Sequence, residues 1–203
     1  MRDDLELLSA WREGDREAGG QLFDRYFAAI RRFFRSKVGD DYEELVQRTF
    51  ARCVESQAGF RGEGKFRSYL FGIAANVLRA HLRDVVRHGQ RFDPEASSVA
   101  DLDLPGPSTA LGARREHQVL LEALRRLPLD DQIVLELFYW EQMTSSEIAQ
   151  VLALPHGTVR SRLRLARDRL RGHVDELARS PAELESLVGG LERWAVGLRD
   201  QLK

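Results

Sequence analysis

Apolar residues recur every three to four positions through most of the chain, which is the period of one buried helix face. Leu5, Leu8 and Trp11 form a first stripe, and Leu22, Phe23, Tyr26, Phe27, Ile30, Phe33 and Phe34 a second. Gly14-Asp15 divides them. Leu45, Val46, Phe50, Cys53 and Val54 make a third stripe, and Leu70, Ile73, Ala74, Val77 and His81 a fourth. No window alternates with the period of two that a half-buried strand needs. The N-terminal part therefore reads as a four-helix domain. A second helical set follows at Val119–Leu127, Asp131–Tyr139, Ser145–Leu152 and Thr158–Arg171. Thr144-Ser145-Ser146-Glu147 has the form of a capping box, in which hydroxyl and carboxylate satisfy each other's backbone amides. A short helix, the turn Ala153-Leu154-Pro155 and a longer helix give a helix-turn-helix outline.

Between the two sets, residues 93–113 hold three of the six prolines, four acidic residues and no basic one. They predict a flexible acidic linker. Beyond the second set, Ser180-Pro181-Ala182-Glu183 is another capping box, with proline at the first helical position. Leu184, Leu187, Val188, Leu191, Trp194, Ala195, Leu198 and Leu202 then mark one apolar face, weakened in the middle by Gly189-Gly190. That face packs on one of the domains or docks a protein. The expected fold is all-α: two small helical domains at 1–92 and 114–172, a flexible acidic linker at 93–113 and a C-terminal amphipathic helical extension at 173–203.

The 203 residues carry a net charge of −1, which looks wrong for a partner of nucleic acid. Divided by segment, the picture changes. Residues 60–91 hold 7 basic and 2 acidic side chains, and residues 156–172 hold 6 and 1. Local patches, not the total, decide where a polyanion docks. No stretch of about 18 apolar residues is present, so no membrane insertion is expected. The acidic N-terminus lacks the apolar core of a signal peptide. The single cysteine, Cys53, excludes an intrachain disulfide, and a reducing cytoplasm is the expected location.

The long helix after the turn is the most specific feature. Val159, Leu163, Ala166 and Leu170 form its apolar stripe, while Arg160, Arg164, Arg167 and Arg171 repeat that spacing one residue on. Guanidinium forks suit phosphates and guanine edges. The first turns, with His156, Thr158, Arg160, Ser161, Arg162 and Arg164, are the candidate reading end in a major groove. The later arginines fit phosphate better. A solvated basic face is the plainer alternative.

A second candidate surface lies on the fourth N-terminal helix. Tyr69, Asn76 and Arg83 are seven apart, with Arg79 between. An aromatic face can stack an unpaired base while cations follow the backbone. The preceding loop, Phe60-Arg61-Gly62-Glu63-Gly64-Lys65-Phe66-Arg67, is basic, aromatic and glycine-bearing. Such a loop can hold an extruded base. A core tyrosine, a capping asparagine and solvated arginines remain an equally open reading.

Asp40, Asp41, Glu43 and Glu44 open the third helix, where carboxylates favour the helix dipole. With Gln47 and Arg48 they also offer a polar surface to a protein. The five histidines show no paired metal spacing, and no glycine-rich phosphate loop follows a strand. Cys53 sits on an apolar stripe and reads as a buried thiol. No catalytic constellation, cofactor or metal site is expected, so the chain does not read as an enzyme.

Leu45-Val46-Gln47-Arg48-Thr49-Phe50, Phe60-Arg61-Gly62-Glu63 and Phe66-Arg67-Ser68-Tyr69-Leu70-Phe71-Gly72-Ile73-Ala74-Ala75-Asn76 resemble region 2 of bacterial sigma-70 factors. Leu127-Pro128, Glu147-Ile148-Ala149 and Gly157-Thr158-Val159-Arg160-Ser161-Arg162-Leu163 resemble region 4. Two motifs in this order across a linker are similar to the small extracytoplasmic-function (ECF) branch. The resemblance implies a factor that binds core RNA polymerase, directs it to promoters and helps open the −10 element. It implies clamp contacts at Asp41, Glu44, Gln47 and Arg48, on the beta-prime subunit. It implies −10 contacts at Phe60, Arg61, Lys65, Phe66, Arg67, Tyr69, Asn76, Arg79 and Arg83. The region 4 helix would read the −35 duplex through His156, Thr158, Arg160, Ser161, Arg162 and Arg164, its other side meeting the beta flap. The acidic linker would run near the polymerase active-site and RNA-exit path. An anti-sigma factor or other regulator is a further implied partner. This sequence departs from the family in Tyr69, where tryptophan is frequent, in Ala153, where glycine is frequent, and in the extension 173–203. Two rival readings are a free-standing helix-turn-helix regulator dimerised through its C-terminal helix, and a protein-binding adaptor.

Overall fold

The structure is a computed structural model, and it describes residues 2–38, 41–60, 65–87 and 110–178 together with Leu187 and Gly189. The described residues form eight α-helices and one 3-10 turn, with no strand among them. In chain order these are α1 (Asp4–Arg12), α2 (Arg16–Arg35), α3 (Tyr42–Ser56), the 3-10 turn Gln57–Gly59, α4 (Phe66–Arg87), α5 (Ala110–Arg125), α6 (Leu129–Tyr139), α7 (Ser145–Leu152) and α8 (His156–Leu177). The chain divides into two compact units, Met1–Phe92 with Ser146–Leu154, and Asp93–Ser145 with Pro155–Lys203. The Ser180–Glu183 capping box and nearly all of the 180–203 stripe lie outside the described residues; Leu187 itself is buried.

Local chemistry sets the first helices. Asp3 Oδ1 accepts from the amides of Leu5 and Glu6 at 2.9 and 2.8 Å, and Glu6 Oε2 accepts from the Asp3 amide at 2.8 Å. This capping box starts α1. Gly14 stops it with φ +105°, a conformation that L side chains rarely adopt. Asp15 then caps α2 by accepting from the Ala18 amide at 3.0 Å, and that bond holds its carboxyl below the ordinary range. The buried face of α1 differs from the expected stripe. Leu7 and Leu8 are buried while Leu5 is 51% exposed. The reason is Asp4, which turns toward α2, accepting from Tyr26 Oη and pairing with Arg25. Burial and the Asp4 carboxylate together push the Tyr26 phenol well above its ordinary pKa.

The core of this unit is aromatic. Phe34, Phe66 and Phe71 are fully buried, and Phe33 meets Phe71 edge-on at 5.7 Å. Such edge contacts exceed plain area burial by about 0.5–1.5 kcal/mol. Cys53 is buried, and burial pushes its thiol up to about 12. It is an inert core residue at neutral pH. Phe27 and Val54 fall on the expected apolar stripes of α2 and α3 yet are half exposed; the Phe27 ring stacks on Phe50 at 6.1 Å.

In the second unit, α8 packs against both α5 and α6. Its predicted stripe of Val159, Leu163, Ala166 and Leu170 is buried, with Val174 one turn further. α8 thus runs past Arg171 to Leu177, and α5 starts at Ala110, inside the stretch expected to be linker. α6 is buried on most sides, with Ile133, Val134, Leu135 and Leu137 inside beside the polar Asp131, Gln132 and Glu136. The buried Gln132 amide donates to the carbonyls of Arg125 and Leu127 at 3.2 and 2.8 Å, closing the open end of α5. α7 begins at Ser145, directly after Thr144. The turn after it holds Ala153 at φ 52°, and the Leu154 amide donates to Ala149 O at 3.0 Å. Left-handed backbone at a residue with a Cβ costs about 1–2 kcal/mol.

Two predictions follow from these turns and contacts. A Cβ on Gly19 would lie 2.7 Å from the Trp11 indole, whereas one on Gly20 meets nothing within 4 Å. Gly20→Ala should stabilise by up to about 1 kcal/mol, and Gly19→Ala should destabilise by roughly 1–3 kcal/mol because the indole must move. Urea titration followed by tryptophan fluorescence separates them. Ala153→Gly should raise the denaturation midpoint, by up to about 1 kcal/mol, since released strain exceeds the added unfolded-state entropy. An unchanged or lowered midpoint would show that the turn carries no strain.

Candidate nucleic-acid interface

On α3 the buried face holds Leu45, Val46, Thr49, Phe50 and Cys53, and the opposite face shows Asp41, Glu44, Gln47 and Arg48 to solvent. Thr49 hides its hydroxyl by donating to Leu45 O at 2.8 Å, which leaves the inward face free of unpaired polarity. Arg48 pairs with Glu44 one turn back at 2.5 Å. Asp41 Oδ2 lies 3.6 Å from His81 Nε2 of α4, tying the start of this surface to its neighbour. Among the described residues no group of three or more His, Cys, Asp or Glu is placed to hold a metal ion.

The expected −10 residues divide into a floor and a face. Phe66 is fully buried and Phe60 is 7% exposed. Both were expected −10 contacts, and in this structure neither ring is open to solvent. Phe66 is the first residue of α4 and turns inward, 5.9 Å from the Tyr26 ring and 6.2 Å from Phe60. Its burial fixes where the helix begins. Above this floor sits Tyr69, half exposed, its ring tilted 37° against Phe60 at 4.9 Å. Its hydroxyl shares a 2.6 Å hydrogen bond with Ser56 Oγ at the end of α3. The aromatic platform is therefore held on two sides. Asn76 and Arg83 are exposed further along α4, and Arg79 is half buried. Lys65 is exposed, while Arg67 is half buried with its guanidinium 5.9 Å from the Phe71 ring centroid. Arg61 lies outside the described residues.

The second basic surface is the outer side of α8. His156, Thr158, Arg160, Ser161 and Arg164 are all exposed over its first three turns. Arg162 is different. It turns back to Asp130 Oδ2 at 3.1 Å and is half buried, so the side chain expected to read DNA is held by α6 in this structure. Arg169 pairs in the same way with the buried Asp131. Arg167 lies over the rings of Phe138 and Tyr139, at 4.7 and 5.4 Å from their centroids. Arg160, Ser161, Arg164 and Arg167 line one open hollow with Phe138 and Ser145. Sequence spacing could not separate these arginines, because the acids and rings that hold three of them belong to α6.

Comparison with known proteins fits this arrangement. Residues 22–88 match the family model for sigma-70 region 2, and residues 117–170 match that for sigma-70, region 4. The chain is 32% identical over 161 residues to the RNA polymerase sigma factor HrpL of Pseudomonas syringae pv. syringae, covering 78% of this chain and 88% of that protein. It is 26% identical over 184 residues to the ECF RNA polymerase sigma-E factor of Escherichia coli K12, covering 87% and 96%. Among solved structures, CnrH in complex with the cytosolic domain of CnrY aligns with a TM-score of 0.64 at 26% identity, covering 87% of this chain and 99% of CnrH. The sigma factor RpoE of Bartonella quintana, in complex with the anti-sigma factor NepR, aligns with a TM-score of 0.63 at 25% identity, over 77% and 96%. With the two regions in order and the match running along most of both chains, the protein belongs to the ECF branch of the sigma-70 family, the promoter-directing factors of bacterial RNA polymerase.

Proposed function

We propose a division of labour along the chain: residues 1–92 bind the polymerase clamp and open the −10 element, and residues 114–172 read the −35 duplex. The observation that carries this is the pairing of a stacking platform with a basic helix face. Tyr69 is half exposed above the buried Phe60 and Phe66, with Asn76, Arg79 and Arg83 along the same helix. An unpaired base stacks on such a ring while the cations follow the strand. The α8 surface of Thr158, Arg160, Ser161 and Arg164 suits a duplex instead, with base edges met by the first turns and phosphates by the later arginines. Asp41, Glu44, Gln47 and Arg48 are assigned to the clamp. Catalysis belongs to the polymerase, and the factor works in the cytoplasm; among the described residues no helix is long and apolar enough to cross a membrane. One structural neighbour was captured with an anti-sigma factor, and we extend that mode of control to this chain.

The primary test is capture on purified bacterial core RNA polymerase. Wild type should be retained, and Gln47→Ala/Arg48→Glu should lose affinity by roughly tenfold or more. Equal retention of both would move the contact off α3. A second test concerns Asp130. Its carboxylate occupies Arg162, so Asp130→Asn in the holoenzyme should release that guanidinium toward DNA. Binding to a −35 duplex should tighten, and the slope of log K against log salt should steepen by about 0.9 for one added phosphate contact. An unchanged slope would show that Arg162 stays off the duplex regardless of its partner.

A further inference from the structure

Arg12 ends α1 and reads, by sequence, as a cation placed against the helix C-terminal dipole. Its position says more. Its terminal nitrogen Nη2 donates to two backbone carbonyls, Gln57 O and Phe60 O, which lie 45 and 48 residues along the chain. Those carbonyls bracket the 3-10 turn between α3 and the loop into α4. Gln57 O also accepts the Phe60 amide at 3.3 Å, so one guanidinium closes the turn from outside while the backbone closes it from within. Phe60 is the residue whose ring supports Tyr69 at 4.9 Å, and Ser56, one residue before the turn, is the partner of the Tyr69 hydroxyl. Every support of the platform other than Phe66 therefore hangs on the short segment 56–60.

We propose that Arg12 is a positioning residue for promoter opening: by pinning the carbonyls of Gln57 and Phe60 it sets the Phe60–Tyr69 platform at the height and tilt that receive an unpaired base. This rests on the −10 role assigned to Tyr69 above. Arg12 itself touches no DNA; it acts through the turn. A charged donor on two neutral acceptors is a strong hydrogen-bonding arrangement, and its loss releases the two carbonyls from α1, leaving the turn to the contacts of Phe60 and Ser56 with α4. α1 thereby belongs to the opening machinery, although none of its own residues faces the strand.

The test uses full-length factor with core polymerase and a double-stranded promoter carrying a fluorescent base in the −10 element. Arg12→Ala should open the promoter about tenfold more slowly than wild type, with retention on core polymerase unchanged. Arg12→Lys, which keeps one charged donor on a more flexible stem, should fall between. On a template already mismatched through the −10 element the deficit should shrink, because unpairing no longer has to be driven. Tyr69→Ala should slow opening too, and the double variant Arg12→Ala/Tyr69→Ala should open no more slowly than Tyr69→Ala alone, since both act on one platform. Additive losses in the double variant, or weaker core binding by Arg12→Ala and Arg12→Lys alike, would make Arg12 a general structural residue and overturn the inference. So would wild-type opening by Arg12→Ala beside a slow Tyr69→Ala. Wild-type opening by Tyr69→Ala would sink the underlying −10 assignment as well.

Discussion

Burying one stripe of a helix dictates what the opposite stripe displays, and both proposed nucleic-acid surfaces of this protein depend on that constraint. On α4 the inward residues are Phe66, Leu70, Phe71, Ala74 and Leu78, all buried. With that stripe locked, Asn76 and Arg83 have no other direction than outward. On α8 the stripe of Val159, Leu163, Ala166 and Leu170 does the same for Arg160 and Arg164. Apolar burial contributes about 25 cal/mol per Å², far more than any one exposed arginine could resist. The orientation of the proposed reading faces is thus set by buried residues. A polar change in either stripe would reach DNA binding through geometry before any charge was altered.

Helical period makes this constraint visible in the amino-acid sequence, and so the all-α architecture and the α8 stripe were legible there. The break between α1 and α2 was legible for the same reason: Gly14-Asp15 acts within a few residues of itself. What period cannot convey is a partner on another element. Leu5 looked like a core residue until Asp4 turned to Tyr26 and rotated it outward. Phe60 and Phe66 looked like base contacts because aromatics beside glycines in a basic loop have that composition. Their burial is a tertiary fact: Phe66 meets Tyr26 of α2, and Phe60 packs on Phe66 and Tyr69 of α4. Arg12 was invisible for a further reason. Its acceptors are main-chain carbonyls, and side-chain identity says nothing about which carbonyls a fold leaves available.

Under the proposed −35 role, charge on α8 is the means by which a chain of net charge −1 would direct arginine toward a duplex without becoming a general polyanion trap. Its arginines are sorted by what surrounds them. Arg162 and Arg169 are taken up by Asp130 and Asp131 at the start of α6. Arg167 lies on the Phe138 and Tyr139 rings, which limits its rotamers and leaves the edge of the guanidinium for hydrogen bonds. Arg160 remains at the exposed N-terminal turns, and Arg164 makes only a 3.4 Å surface pair with Asp168, an interaction worth little in water. A helix with six free arginines would bind any DNA tightly and steeply with salt. Holding three of them shifts the balance from affinity toward register.

The same economy of contacts appears in the platform on α4. Tyrosine at position 69 presents a smaller ring than an indole, so stacking alone provides less of the free energy that keeps a base unpaired. Position then matters more than area. A ring free to rotate loses entropy each time a base settles on it; a ring already fixed by Phe60 beneath and Ser56 at its hydroxyl does not. Preorganisation lowers the cost of capture without adding any contact. On that argument the supports of Tyr69 carry weight that its own surface lacks, and under the proposed −10 role the segment 56–60, closed by Arg12 from α1, would govern how well a modest aromatic opens DNA.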